Sequence, residues 1–410
     1  MTSQIVILNK LAVAAASDSS VTLTTPDGRR RPFPSAEKIY PLPAPHAVCV
    51  LHSGNTQLLD VPYVVLVGEW IRTLPTTRLA RVQDYGDLFT SWVTDQHKLF
   101  TQKTQDDQLA WMLRDYFLAI RTDLLERCEA RNVTGQDFAG SAARDIVGEV
   151  LSERLHRLRH QPSIAGWDGF DGAGYLASRR SVLDQARDWV FDDSPRTTAG
   201  DAMLAEIAAE LLRVSEPWST DAQLVFAGFG EEEMFPAQLS ITFQCILNDR
   251  LRAVVNDYVT VRDDGPVISP LAQTEAVDTF LRAYNPSYLG VAHRTLDLAL
   301  TSLHSRMKPG EGSEVDLDEV VLSAHRSLDE NWGRVCQEEF LGPMIDTVGG
   351  LPPAEIARMA ESLVGLQILR QLTQAATETV GGPIDVALIT REGGFRWLRH
   401  KALGSPNGTA

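Results

Sequence analysis

Thr2 is the residue whose type and position most directly suggest chemistry. Once Met1 is removed, a strand that begins at residue 2 presents a free α-amino group and the Thr2 hydroxyl at one fixed point. A threonine hydroxyl is a poor nucleophile until a base takes its proton, and an N-terminal threonine carries that base as its own amine. Such an amine titrates near ~8, so it accepts a proton at cellular pH without great cost. We therefore expect Thr2 to act as nucleophile and base in acyl transfer from an amide, followed by hydrolysis.

The residues that follow Thr2 predict a hairpin that would hold it. Two apolar runs, residues 5–8 and 11–16, are joined by Asn9 and Lys10, which is a hairpin signal. Neither run alternates with polar residues, so both faces of the hairpin must be covered. The returning strand ends at Asp18, and this carboxylate can lie beside Thr2.

Strands and helices come in separate groups along the rest of the chain. Strands are expected at 38–42 and 47–54, in QLVFAGFG, LSITFQCIL and LRAVVNDYVTV, and in the closing pair IDVALIT and FRWLRH. Residues 75–220 are mainly helical, and helices return between Pro270 and Thr379. Separate groups favour an α+β layered fold over alternating βαβ units, and two packed sheets flanked by helices would cover every apolar strand.

The composition is that of an ordinary globular protein with an acidic surface. The chain has 410 residues, of which 44% are hydrophobic and 22% are charged. Its formal net charge of −16 disfavours nucleic acid and anionic membrane surfaces as main partners, because both attract basic patches. We expect neither kind of partner.

Cysteine and histidine usage gives no sign of a disulfide framework or a metal site. The four cysteines form no CxxC pair and lie mostly among apolar neighbours; they are Cys49, Cys128, Cys245 and Cys336. We interpret them as reduced residues of a cytoplasmic protein, since no membrane span or secretory signal is evident either. His156 and His160 stand one helical turn apart but lack an acidic ligand, so we expect no metal and no cofactor.

The two ends of the chain resemble the proteasome β-subunit family of threonine-dependent N-terminal-nucleophile (Ntn) hydrolases. Those subunits begin Thr-x-x-(Val/Ile) and carry an acidic residue sixteen positions after the threonine, as Thr2 and Asp18 do here. Residues 37–40, EKIY, are similar to the lysine at the start of a family strand. Residues 381–395, GGPIDVALITREGGF, are similar to the family's last strand pair. The resemblance covers about residues 2–74, 222–262 and 351–398.

The resemblance implies a fold and a set of roles. The fold would be a four-layer αββα Ntn-hydrolase sandwich, one domain over residues 1–410, with helical insertions at 75–220 and 285–345. Lys38 would be the cation that lowers the pKa of the Thr2 amine and hydroxyl, and Asp18 would keep Lys38 charged. The backbone N–H of Gly54 would be the oxyanion donor, because glycine lets a substrate carbonyl approach the chain closely.

Two features depart from the family pattern. The family usually supplies an Asp and a Ser just before the Gly-Gly pair, where they support the threonine amine. This chain has Thr377, Glu378 and Thr379 there. The usual Gly-Ser-Gly segment is also missing, and Ser269 is the nearest candidate for its serine.

Three hypotheses follow from these features. The first is a proteasome-like threonine hydrolase, a peptidase acting on a peptide or amide substrate. The second is a catalytically inactive proteasome-fold subunit whose helical insertions bind a protein partner or assemble a particle, which the missing Asp and Ser favour. The third is an amidase for a small non-peptide substrate. Because relatives stack into rings, the resemblance also implies a homo-oligomer.

Overall fold

A computed structural model describes residues 2–24, 30–33, 35–133, 140–191, 198–218, 220–306, 317–373 and 380–401. The strands are β1 (Ser3–Leu8), β2 (Val13–Asp18), β3 (Val21–Thr24), β4 (Arg30–Phe33), β5 (Ile39–Pro41), β6 (Ala47–Gly54), β7 (Gln57–Leu58), β8 (Val61–Pro62), β9 (Ala222–Phe229), β10 (Ala237–Leu247), β11 (Arg250–Thr260), β12 (Val267–Ala272), β13 (Ile384–Thr390) and β14 (Gly394–Arg399). The helices are α1 (Tyr63–Ile71), α2 (Val82–Asp95), α3 (Gln102–Ala130), α4 (Ser141–His160), α5 (Gly172–Ala177), α6 (Arg180–Phe191), α7 (Thr198–Leu211), α8 (Val261–Asp264), α9 (Glu275–Arg282), α10 (Pro286–Arg306), α11 (Leu317–Val335), α12 (Gly342–Gly350) and α13 (Pro353–Thr373).

Two five-stranded sheets form the centre of the fold, and every strand pair in them is antiparallel. The first sheet has the order β12-β1-β2-β13-β14, and the second has the order β11-β10-β9-β6-β5. The protein is thus mixed α/β with antiparallel sheets, which agrees with the α+β part of the prediction. The predicted pairing of residues 5–8 with 11–16 is present as the β1–β2 hairpin.

Both faces of the β1–β2 hairpin are buried, as its unbroken apolar runs require. One buried cluster joins Val6 and Val13 of the first sheet to Cys49 and Val225 of the second. A separate cluster packs the opposite faces of β1, β2 and β13 against helices α9, α12 and α13. Because successive side chains of a strand point to opposite faces, only apolar residues throughout can satisfy both contacts.

Helices α1 and α2 cover the other face of the second sheet. Trp70 of α1 and Phe89 of α2 are fully buried against Phe226 of β9, with ring centroids 5.1 to 6.0 Å apart. Replacing such a buried aromatic ring by alanine costs roughly 3–5 kcal/mol, so α2 is firmly attached to the sheet. Although α2 falls within the predicted insertion 75–220, it packs as part of the sheet layers.

The remaining helices of that predicted insertion, α3 to α7, form a hydrophobic cluster of their own. The end of β10 joins this cluster through Cys245 and Leu247. The predicted insertion 285–345 contains the antiparallel pair α10 and α11, which contact each other through His293 and His325, with stacked rings 4.3 Å apart. All four cysteines of the chain are buried and free. Among the described helices, none combines the length and the apolarity that a bilayer crossing requires.

Candidate active site

The β1–β2 register brings Asp18 to the start of β1. Gln4 pairs with Ser17, and the backbone N–H of Ser3 donates a hydrogen bond to Asp18 Oδ1 over 2.9 Å. The carboxylate therefore lies next to the peptide unit that follows Thr2. The spacing of sixteen residues from Thr2 to Asp18 spans this hairpin, which places the start of β1 beside the end of β2.

Lys38 immediately precedes β5 and points at the same carboxylate. Its Nζ lies 2.7 Å from Asp18 Oδ1, and the two side chains are 6% and 0% exposed. The other oxygen, Asp18 Oδ2, accepts hydrogen bonds from Ser20 N at 3.2 Å and Gly381 N at 3.1 Å. Together with the bond from Ser3, four donors compensate the buried charge of Asp18, as a buried carboxylate requires.

The environment of Lys38 makes its proton easier to remove than that of an exposed lysine. Burial lowers the pKa of Lys38, and this cost of desolvation exceeds the opposing attraction of Asp18. The nearby ammonium of Lys401 lowers the pKa of Lys38 further. A lysine in this state can exchange a proton with a neighbouring hydroxyl or amine more readily than one on the surface.

Gln4 fixes the position of Lys38 relative to β1. Its side-chain Nε2 lies within hydrogen-bonding distance of three acceptors: Ser17 Oγ at 3.2 Å, the Lys38 carbonyl oxygen at 3.3 Å and the His52 carbonyl oxygen at 3.0 Å. Since Gln4 belongs to the first sheet while β5 and β6 belong to the second, this amide links the two sheets beside Asp18. Gln4 could not be predicted as a site residue, because glutamine inside an apolar strand gives no local sign of such a contact.

Thr2, Lys38 and Gly54 line one cavity of about 180 Å³. Ser20, His52 and Ser53 also contribute to its wall. Thr2 is 6% exposed, and its carbonyl oxygen accepts a hydrogen bond from Gln273 N at 2.9 Å. Three of the predicted site residues therefore line a cavity that can admit a small part of a ligand. Asp18 holds Lys38 in place there through their ion pair.

Gly54 has a structural reason to be glycine. Its φ of +88° lies in a region that other residues rarely adopt, and a Cβ there would lie 2.4 Å from the backbone oxygen of Asp221. The crowding comes from the neighbouring strand β9, where Ala222 is the register partner of Gly54. The role of the Gly54 N–H as oxyanion donor remains a prediction.

The structure does not bring Ser269 to Thr2. Ser269 is opposite Val6 in the β1–β12 register, which is four residues along β1 from Thr2 and so about 13 Å away. Its hydroxyl accepts a hydrogen bond from Gln238 Nε2 at 3.1 Å. The sequence offered Ser269 because it is the nearest serine to the missing Gly-Ser-Gly segment, but the register of β12 carries it to another part of the sheet.

Gln273 lies beside Thr2 in place of Ser269. β12 ends at Ala272, whose left-handed φ of 64° turns the chain so that Gln273 N reaches the Thr2 carbonyl. The Gln273 side-chain oxygen accepts a hydrogen bond from Gln371 Nε2 of α13 at 3.2 Å. No sequence signal indicated this turn, because alanine is an unusual residue for that conformation.

The segment before β13 contacts the site through its backbone. Gly381 donates to Asp18 Oδ2, and its carbonyl accepts a hydrogen bond from Ser19 N at 3.3 Å. Gly381, the first glycine of the pair that carries the resemblance, thus supplies backbone partners to residues 18 and 19. Thr377, Glu378 and Thr379 lie outside the described residues.

His52 is a cavity residue that the sequence analysis missed. Burial lowers the pKa of His52 to about 4, so the imidazole is neutral at cellular pH. Its Nε2 lies 2.7 Å from the carbonyl oxygen of Asn55, and because a carbonyl only accepts, Nε2 carries the hydrogen. The ring also packs on Tyr63 with centroids 4.7 Å apart. These contacts fix the position of His52 in the part of the cavity wall that β6 forms.

A second buried ion pair lies close to the first. Lys401 Nζ contacts the Asp385 carboxylate and is 3.4 Å from Glu37 Oε2. Donor atoms of Glu37, Asp385 and His400 approach within 4.8 Å of one another, as three ligands of a metal ion would. Because the Lys401 ammonium already contacts Asp385 and Glu37, we interpret this group as an ion-pair network.

No family model matches the chain, and no curated protein matches it. Among solved structures, the chain is similar to the Anbu Gly-1 mutant from Hyphomicrobium sp. strain MC1, with 9% sequence identity and a TM-score of 0.29. That match covers 99% of this chain and 89% of the other. A likeness at this level supports no conclusion about function.

Proposed function

We propose that this protein is a proteasome-like threonine hydrolase, acting as a peptidase through an N-terminal Thr2 exposed by removal of Met1. The observation that carries the proposal is that Thr2 and Lys38 line one cavity while the buried Asp18 holds Lys38 by an ion pair of 2.7 Å. This combination supplies a nucleophile, a cation with a readily removed proton, and a fixed support for that cation. Buried ionisable groups with a perturbed pKa and a specific charged partner cluster at functional sites, which supports this interpretation of Lys38.

In the proposed reaction the free amine of Thr2 takes the hydroxyl proton, directly or through water. Thr2 Oγ then attacks the substrate carbonyl carbon, and Lys38 favours the developing alkoxide by its charge. The C–N bond breaks as the leaving amine receives the proton. Water hydrolyses the resulting ester on Thr2 and restores the free hydroxyl. The N–H of Gly54 is the proposed donor to the oxyanion.

The proposed fold is the four-layer αββα sandwich of Ntn-hydrolases. The buried clusters on both faces of both sheets support it, because they pair the two sheets face to face and cover each outer face with helices. We further propose a single domain with helical insertions, a cytoplasmic location and a homo-oligomeric state. Peptide or amide substrates would reach the cavity that Thr2 lines.

The alternative is a catalytically inactive proteasome-fold subunit that acts by interaction. Exposed apolar side chains on α10 and α11 favour it, since such patches often mark contacts between proteins. Leu298, Leu303 and Leu322 are 73%, 62% and 58% exposed. In this case Thr2 would be the structured start of β1 and nothing more.

Hydrolysis of a panel of fluorogenic peptides and small amides separates these possibilities. Wild type should release the fluorophore, Thr2→Ala should not, and the control Thr94→Ala, which removes an exposed threonine from α2, should match wild type. Cleavage of the amides alone would identify an amidase. Equal activity of wild type and Thr2→Ala on every substrate would refute the threonine mechanism.

A further inference from the structure

The Asp385–Lys401 ion pair is buried as deeply as the pair at the proposed active site. Its side chains are 2% and 3% exposed, compared with 0% and 6% for Asp18 and Lys38. Lys401 N also donates to Asp385 Oδ1 at 2.8 Å, so one residue contacts the carboxylate with both backbone and side chain. The chain following β14 is thus fixed to the beginning of β13.

Two short connections join this pair to the Asp18–Lys38 pair. Ser19, next to Asp18 in the chain, directs its hydroxyl to Pro383 O at 2.8 Å and lies 3.4 Å from Asp385 Oδ2. Glu37, next to Lys38 in the chain, lies 3.4 Å from Lys401 Nζ. Each member of the first pair therefore has a sequence neighbour in contact with the second.

Stability alone is a weak explanation for a second buried pair. Removing two charges from water costs several kcal/mol for each ion, and apolar residues of similar volume often replace such pairs without loss. The Asp385–Lys401 pair does, however, place two opposite charges near Lys38. Burial and Lys401 lower the pKa of Lys38, whereas Asp18 and Asp385 raise it.

We propose that Asp385 and Lys401 are positioning residues for the Thr2 site, a second ion pair that sets the place and charge of Lys38 through Glu37 and Ser19. Its consequence for catalysis rests on the proposed function, but its effect on Lys38 does not. Within the described part of the chain, the other charged or titratable side chains near Lys38 are Asp18, Glu37 and His52, and His52 is neutral at cellular pH. The free amine of Thr2 in the proposed mature chain would be a further titratable group beside the same cavity.

The proposal requires that removing either member of the pair shifts the pKa of Lys38, and that the two shifts have opposite signs. In Lys401→Met the repulsion of Lys38 is removed, so the pKa of Lys38 should rise. In Asp385→Asn an attraction is removed while Lys401 keeps its contact with Glu37, so the pKa of Lys38 should fall. In the double variant the two changes should largely cancel. A purely structural pair would lower stability in both variants without shifts of opposite sign.

The test is an NMR titration of protein labelled with ¹³C and ¹⁵N in lysine side chains. The Lys38 signal is assigned by its loss in Lys38→Arg. The matched control is Arg399→Met, because Arg399 also lies at the end of β14 but its ion pair with Glu361 is 64% and 28% exposed. This control should leave the pKa of Lys38 unchanged, and Lys401→Arg should retain the wild-type value more closely than Lys401→Met.

A second readout separates this inference from the proposed function. If Thr2 is a nucleophile, the pH at which its labelling by an electrophilic peptide becomes fast should move in the same direction as the pKa of Lys38. If wild type is never labelled, the proposed function fails, and the NMR titration still decides the role of the pair. A Lys38 pKa that is the same in all variants, or that moves in the same direction in both single variants, would overturn the inference.

Discussion

Lys38 Nζ and Asp18 Oδ1 lie 2.7 Å apart in an ion pair whose side chains are almost completely buried. The carboxylate also accepts hydrogen bonds from three backbone N–H groups, while Lys38 lines the same cavity as Thr2. One member of the pair is therefore held by the backbone, and the other lines the cavity.

Asp18→Asn should destabilise the protein by about 3–5 kcal/mol, because it leaves the Lys38 charge buried without a partner. The free energy of unfolding, measured by urea denaturation, checks this. The control is Glu361→Gln, which removes one member of the exposed pair with Arg399 and should cost less than about 1 kcal/mol. Equal effects of the two substitutions would contradict the structural role of Asp18.

Lys38→Met should affect chemistry more than stability. Asp18 keeps its hydrogen bonds from Ser3, Ser20 and Gly381, so its charge remains partly compensated. Labelling of Thr2 by an electrophilic peptide should slow by about a hundredfold or more, which is the usual effect of removing one group that stabilises developing negative charge. Lys10→Met, an exposed substitution in the β1–β2 turn, is the control. Labelling of Lys38→Met at the wild-type rate would remove Lys38 from the mechanism.

His52→Gln should change how stability depends on pH. Because the folded pKa of His52, about 4, is below the ordinary value of 6.5, the unfolded chain binds the proton first as pH falls. The wild type should therefore lose about 3 kcal/mol relative to the variant between pH 6.5 and pH 4. Denaturation at a series of pH values measures this difference.

Asp221 should affect the pH dependence of stability in the direction opposite to His52. Burial raises the pKa of Asp221 to about 6, so its contribution to stability increases as pH falls from 6 towards 3.8, opposite to that of His52. Asp221→Asn should therefore change the pH dependence in the opposite direction to His52→Gln. If both variants changed the pH dependence of stability in the same direction, burial would not be what shifts the pKa values of His52 and Asp221.

Gly54→Ala should be destabilising whether or not the protein is an enzyme. The added methyl group would meet the Asp221 backbone oxygen at 2.4 Å, and a φ of +88° is unfavourable for alanine. We expect a loss of at least about 2 kcal/mol in the free energy of unfolding. Gly68→Ala is the matched control, because the space around Gly68 in α1 is open and alanine favours a helix. A neutral Gly54→Ala would mean that the strand is not crowded there.

Much of the frame of the site could be predicted from sequence, because it depends on local pattern. The apolar runs of β1 and β2 required burial on both faces, and the hairpin that joins them carries Asp18 back to the start of β1. The role of Lys38 was predicted from its position at the start of a strand, where the family resemblance places a lysine. The contact between Asp18 and the start of β1 is set by strand pairing, which leaves a pattern in the residues, whereas the Lys38–Asp18 ion pair crosses between the two sheets.

The contacts that were missed depend on register or on distant segments. Ser269 and Gln273 are four residues apart, and only the pairing of β12 with β1 decides which of them meets Thr2. Asp385 and Lys401 meet because β13 and β14 form a hairpin, but a lysine near the end of a chain usually reads as a solvated residue. The attachment of α2 to the second sheet likewise depends on tertiary packing.

Intact-mass analysis before and after incubation with an electrophilic peptide such as an epoxyketone tests the central claim most directly. We predict that the mature chain lacks Met1 and gains the mass of one probe at Thr2, while Thr2→Ala gains none. A protein that hydrolyses peptides with Met1 still attached, or that carries the probe at another residue, would contradict it.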